Sequence, residues 1–106
     1  MTRAPFSRPV PYYVYILASR RNGTFYVGMT NDLVRSGWEH RNGVIDGFTK
    51  AYGVHRLVYF EVTDDVSVAQ RRERSVKRWR RAWKIALIEK ENPGWRDLYD
   101  EIARQI

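Results

Sequence analysis

The dipeptide Asn22-Gly23 stands between two short runs, "YYVYIL" (Tyr12 to Leu17) and "TFYVGM" (Thr24 to Met29), that are rich in aromatic and β-branched residues. Such side chains fit a pleated, half-buried surface, and Asn-Gly supplies the positive φ angles of a tight hairpin turn. An antiparallel hairpin is therefore expected at the start of the fold. With Asn22-Gly23 as a two-residue turn, Leu17 stands opposite Gly28 and Tyr15 opposite Thr30. Tyr13, Tyr15 and Leu17 then share a face with Tyr26 and Gly28, while Val14, Ile16, Phe25 and Val27 gather on the other, core-like face.

The stretch "GMTNDLVRSGWEH" (Gly28 to His40) opens as a helix. Thr30 or Asn31 can serve as N-cap, and Asp32 in the first turn complements the positive end of the dipole. Its middle holds Ser36 and Gly37, and the glycine alone costs ~1 kcal/mol relative to alanine. "RNGVIDGFTKAYG", with three glycines, reads as a loop, and "VHRLVYFEV" (Val54 to Val62) as a third strand. From Val66 a helical pattern runs to about Lys90, with a break near Arg80 to Ala82. "ENPGW" stops it. Asn92 is expected as the N-cap of a last helix, with Pro93 in its first turn and Trp95, Leu98, Tyr99 and Ile102 at helical spacing. No repeat interrupts the chain, and one α/β domain over residues 11–106, preceded by an extended tail at 1–10, accounts for it.

The net charge of +7 is concentrated in one place. "RRERSVKRWRRAWK" (Arg71 to Lys84) contains eight basic residues and one acid, and the rest of the chain balances. Arg71, Arg72, Arg74, Lys77, Arg78, Arg80, Arg81 and Lys84, interleaved with Trp79 and Trp83, are therefore expected to contact phosphates, and Arg35 is a further candidate. A solvated helix face is the plainer alternative. Cysteine is absent, which excludes disulfide frameworks, cysteine-ligated zinc and thiol nucleophiles. The proline-containing start carries no signal-peptide run, and no apolar stretch reaches membrane-spanning length. A cytoplasmic protein without a membrane partner is expected, and nothing in the sequence specifies a protein partner.

Few residues remain for chemistry. His40 and His55 are isolated, no glycine-rich phosphate loop is present, and no serine has a nucleophile setting. Tyr15 and Tyr26 are either packing residues or part of a site, and Gly28 beside them leaves room for a ribose-phosphate backbone to approach. Glu73 falls on one stripe of the long helix with Ala69, Val76, Trp83 and Leu87, which points its carboxylate inward. It is either paired with Lys77 one turn on, or a hard oxygen ligand for a divalent cation.

In this order and spacing, "YVYIL", "FYVGMTNDL", the "EH" at Glu39-His40, "RRERSVKRW" and the Asn92, Pro93, Trp95 motif resemble the GIY-YIG nuclease superfamily, in particular its small single-domain bacterial members. The resemblance covers about Pro11 to Ile102. It implies a three-stranded antiparallel sheet flanked by helices, and metal-assisted hydrolysis of DNA phosphodiester bonds in roles that include repair, restriction and mobility. Tyr15 and Tyr26 match the tyrosines of the two name-giving motifs, of which one activates or orients the attacking water. Gly28 completes the second motif. Glu73 matches the ligand of a single Mg²⁺ or Mn²⁺, and His40 matches a histidine near the reacting phosphate. Whether the DNA is single-stranded, duplex or branched is left open.

Two departures stand out. Tyr13 replaces the glycine of the first motif, a mild change because the hydroxyl that matters is on Tyr15. The helix arginine that would stabilise charge on phosphate falls on Ser36, and its apolar neighbour falls on Gly37. Arg35 is a full cation but is rotated by about 100° around the helix from position 36. It could substitute only if Gly37 let the helix distort. Loss of one such donor costs ~3 to 4 kcal/mol of transition-state stabilisation, so impaired cleavage is expected. Two rivals remain: a non-catalytic nucleic-acid-binding module of the same fold, and an interaction domain in which Trp79, Trp83 and Trp95 cover the core.

Overall fold

The computed structural model describes residues 10–44 and 47–104. Its elements are β1 (Tyr12–Ala18), β2 (Phe25–Thr30), α1 (Leu33–Arg41), α2 (Phe48–Tyr52), β3 (Arg56–Thr63), α3 (Val66–Arg78), α4 (Arg81–Glu91) and α5 (Tyr99–Ala103). The expected tail lies outside the described residues except for Val10, which is exposed. Three strands form one antiparallel sheet in the order β2-β1-β3, flanked by helices, as expected. Residues 14 to 18 of the central strand are all buried because both faces are covered. Val14, Ile16, Ala18 and Val27 pack with Ala69 and Val76 of α3, Ile88 of α4, and Trp95. Tyr15 and Leu17 pack on the other face with Leu33 of α1, Val54 and Leu57, flanked by Leu98 and Ile102.

The hairpin register differs from the expectation by two residues: Tyr15 stands opposite Gly28, and Leu17 opposite Tyr26. The turn has four residues, Arg20 to Gly23, closed by the Gly23 N–H donating to the Arg20 carbonyl at 2.9 Å, with Asn22 at φ 55°. Arg81 of α4 fixes this longer turn. Its guanidinium donates to the carbonyls of Asn22 and Gly23 and lies 4.2 Å from the centre of the Phe25 ring. A two-residue shift preserves strand parity, so the tyrosine face is unchanged.

The first helix is capped by Asp32, whose carboxylate accepts from the Arg35 N–H at 3.1 Å. Thr30 and Asn31 are not the cap; the Thr30 hydroxyl instead accepts from the Asp32 N–H. The helix is continuous through Ser36 and Gly37, so the distortion that would bring Arg35 into position 36 is absent. Gly37 serves packing. A β-carbon there would stand 2.7 Å from Cδ1 of Tyr99, so its absence lets α5 rest on α1. Arg41, one turn on, lies 4.4 Å over the same ring and pairs with Asp97.

The expected glycine loop contains α2, ended by Gly53 in the left-handed region at φ 64°. The third strand begins at Arg56, two residues later than expected, and carries a bulge where its pairing with β1 steps between Ile16 and Leu17. Asn92 is buried and ends α4 instead of starting a helix. Its side-chain amide donates to the carbonyls of Val58 and Arg96 and accepts from the Arg96 N–H, tying the chain after α4 to the bulged strand. Trp95 accordingly sits outside any helix, fully buried at φ 54°. The long helix breaks at Trp79 and Arg80, whose ψ angles are extended. That break resets the helical phase, so Trp83 does not continue the inward stripe of Ala69 and Val76 but is 55% exposed.

Candidate active site

Tyr15 projects from β1 across the edge strand. Its hydroxyl and ring tip lie 2.6 Å from the place a β-carbon on Gly28 would occupy, and Cε2 of Tyr26 lies 2.9 Å from it. The space over Gly28 is thus taken by the two tyrosines, not left open for a backbone as expected. From α1, His40 comes within 3.3 Å of the Tyr15 hydroxyl through Nε2, and its ring centre is 5.3 Å from that of Tyr26. Nδ1 is 3.0 Å from the Thr49 hydroxyl. Thr49, on α2, is the site residue that sequence reasoning missed. The signal was present in "GFTKAYG": a glycine on each side, the second at a helix C-terminus, marks a short helix.

Both titratable groups of this cluster are held neutral. Burial, with the charges of Tyr26, Glu39 and Glu73 adding to it, pushes the Tyr15 phenol well above its usual range. Burial lowers the His40 imidazole from its ordinary 6.5, and Glu39 opposes this in part. A neutral imidazole between two hydroxyls donates to one and accepts from the other. The row Tyr15, His40, Thr49 can therefore carry its protons in either direction.

Ser36 lies one turn before His40 on the same face of α1. Its hydroxyl donates to that of Thr30 at 2.7 Å, and Thr30 continues the β2 face that holds Tyr26 and Gly28. Arg35 points away: its side chain is 74% exposed and pairs with Glu39 at 3.5 Å.

Glu73 reaches the same edge strand from α3. A concavity there is lined by Tyr26, Gly28, Met29, Gln70, Glu73 and Arg74. The Glu73 carboxylate accepts from Lys77 Nζ at 2.7 Å and is 17% exposed. Among the described residues no group of three or more histidines, aspartates or glutamates could cage a metal ion. One carboxylate open to a groove does suit a hydrated Mg²⁺ or Mn²⁺, which keeps most of its waters and takes other oxygens from a phosphate.

The basic segment divides. Arg71, Arg74, Ser75, Arg78, Trp79, Arg80 and Trp83 line a second groove, adjoining the first through Arg74. The remaining cations have structural partners. Arg72 pairs with Glu61 at 2.9 Å and lies 5.0 Å over Trp79, Arg81 holds the hairpin turn, and Lys84 donates to the Lys77 carbonyl. Trp95 fills the core and Trp79 packs against it, whereas Trp83 faces the groove. His55 is exposed and takes no part in the cluster.

Residues 11–86 match the family model of the GIY-YIG catalytic domain, and the chain belongs to this nuclease family, whose domain implies a nucleic-acid substrate. Its relatives carry a more particular designation. It is 38% identical over 76 residues to a UPF0213 protein of Clostridium perfringens, covering 72% of this chain and 81% of that one. A UPF0213 protein of Syntrophus aciditrophicus is 37% identical over 82 residues, covering 76% and 92%. The solution structure of a UPF0213 protein from Bacillus halodurans superposes with a TM-score of 0.52 at 30% identity, over 82% of this chain and 92% of that one. No helix among the described residues is long and apolar enough to cross a membrane.

Proposed function

We propose that the chain is a cytoplasmic, divalent-metal-dependent endonuclease that hydrolyses DNA phosphodiester bonds, slowed because α1 presents Ser36 where a cation would steady the phosphate. One observation carries this reading: the Tyr15 hydroxyl, bonded to His40, lies over Gly28 at the edge where Tyr26 and Glu73 line one concavity. Glu73 would hold Mg²⁺ or Mn²⁺, exchanging Lys77 for the ion. When bound, the ion supplies Lewis-acid polarisation of the phosphate and of the attacking water.

The chain's own residues do the remaining work. The Tyr15 phenol is neutral, so it acts by relaying a proton and not as a standing phenolate. As the Tyr15 oxygen accepts a proton from the attacking water, its own proton passes to Nε2 of His40, whose Nδ1–H is held by Thr49. Thr49 accepts that Nδ1–H in the tautomer that leaves Nε2 ready to receive the proton. Arg71, Arg74 and Arg78, exposed along α3, grip the strand on either side. Cleavage of end-labelled single-stranded, duplex and branched DNA with Mg²⁺, Mn²⁺ or chelator tests the proposal; Tyr15→Phe and Glu73→Gln should each abolish the metal-dependent product.

A second reading also has support. Glu73 is already satisfied by Lys77, and Ser36 by Thr30, as in a surface that binds nucleic acid without cutting it. That reading gives salt-sensitive binding, affinity unchanged by Glu73→Ala, and no cleavage under any metal.

A further inference from the structure

We infer that Arg74 supplies, from α3, the positive charge at the reacting phosphate that α1 does not provide. The inference rests on the nuclease reading above and concerns which cation of the site is free to serve. Near the cluster, Arg35 is turned outward onto Glu39, Arg41 is engaged by Asp97 and the Tyr99 ring, and Lys77, which an ion on Glu73 would displace, lines neither groove. Arg74 is exposed, and among the described residues it makes no hydrogen bond, ion pair or ring contact. It lines the concavity of Tyr26, Gly28 and Glu73 as well as the groove of Arg71, Arg78 and Trp83.

The helix explains its placement. Positions 70, 73 and 74 fall on one face of α3, and that face meets β2; positions 71, 74, 75 and 78 fall on the next. Arg74 belongs to both, so a strand lying in the second groove brings a phosphate past it at the mouth of the first. Glu73, the nearest acid in sequence, does not tie it down: Lys77 neutralises that carboxylate in the structure, and a bound ion would do so in the working site. A guanidinium offers a planar fork of donors to two phosphate oxygens, which is what a developing negative charge requires. Ser36 meets β2 through the Thr30 hydroxyl and Arg74 lines the concavity beside Gly28, so both positions adjoin the same edge strand.

Arg74→Ala and Arg74→Lys, each alone and combined with Ser36→Arg, would be compared with wild type. Single-turnover cleavage of a labelled DNA oligonucleotide in Mn²⁺ is read at saturating protein, and affinity for the same DNA in chelator. Arg74→Ala is expected to lower the cleavage rate by roughly 10²- to 10³-fold, with a far smaller change in Kd. Arg74→Lys should recover part of the loss, and adding Ser36→Arg to Arg74→Ala should restore the rate. If wild type cleaves but Arg74→Ala leaves the saturated rate unchanged, loses only affinity, or is not rescued by Ser36→Arg, the role of Arg74 is overturned and the nuclease reading stands. Absence of cleavage by wild type and by Ser36→Arg overturns both.

Discussion

The Tyr15 hydroxyl stands 2.6 Å from the point where Gly28 would carry a β-carbon, directly opposite it in the strand register. Tyr15 is 4% exposed and its hydroxyl is bonded to His40, so the ring has no free direction in which to retreat. Gly28→Ala should therefore destabilise the fold by ~1–3 kcal/mol through overpacking. It should also remove cleavage by moving the hydroxyl. Thermal melting and the cleavage assay read the two effects separately, and an alanine that left both unchanged would mean that the close approach is not needed.

Gly37 behaves in the opposite way to what helix propensity alone implies. Alanine there should gain ~1 kcal/mol of propensity and lose more against the Tyr99 ring, for a net destabilisation of about 1 kcal/mol. In a Tyr99→Ala background the same change should stabilise instead. A double-mutant cycle in urea checks this reversal of sign. It also means that a charge-restoring variant should change Ser36 alone, since a larger residue at 37 disturbs the packing of α5.

Acid should weaken the fold through His40. Burial lowers its folded-state pKa below the ordinary 6.5, so between those two values the unfolded chain binds more protons. The stability this group contributes is complete above 6.5 and is lost as pH falls through the folded value. Urea unfolding from pH 8 to 5 should show a steeper acid loss in wild type than in His40→Gln, and the cleavage rate should fall over the same window because only the neutral ring accepts the proton. Equal slopes in the two proteins would contradict this.

Salt dependence separates the arginines. Arg71, Arg74 and Arg78 are exposed with no protein partner among the described residues. Three phosphate contacts give a slope of log K against log salt of about −2 to −3. Each of these three changed to alanine should reduce the magnitude of the slope by about 0.7–0.9. Arg81→Ala and Arg72→Ala should act mainly on stability, because Arg81 holds the hairpin turn and Arg72 joins Glu61 to Trp79.

What was legible in the sequence was set by local periodicity. Strand alternation placed Tyr15, Tyr26 and Gly28 together, and this survived a two-residue change of register because the face depends only on parity. Helical spacing put Ser36 and His40 on one side of α1 for the same reason. Tertiary contacts decided the rest. Gly37 looked like a defect because Tyr99, its partner, is far along the chain, and Asn92 looked like a helix start because the carbonyl it satisfies on the bulged strand, that of Val58, is 34 residues away. Two extended residues, Trp79 and Arg80, were enough to turn Trp83 from the predicted core stripe to the surface. The division of the basic segment into groove-lining and structural arginines depended on acids, rings and carbonyls elsewhere in the fold, which charge counting does not resolve.

The measurement that bears most directly on the account is single-turnover DNA cleavage by wild type and Ser36→Arg, side by side, with Mn²⁺ or Mg²⁺ and with chelator. Slow, strictly metal-dependent cleavage by wild type is expected, with Ser36→Arg faster, by less than the roughly 10²-fold of an unfilled position because Arg74 already supplies charge. Binding without cleavage by either protein, in either metal, would contradict it and leave a nucleic-acid-binding module built on a nuclease fold.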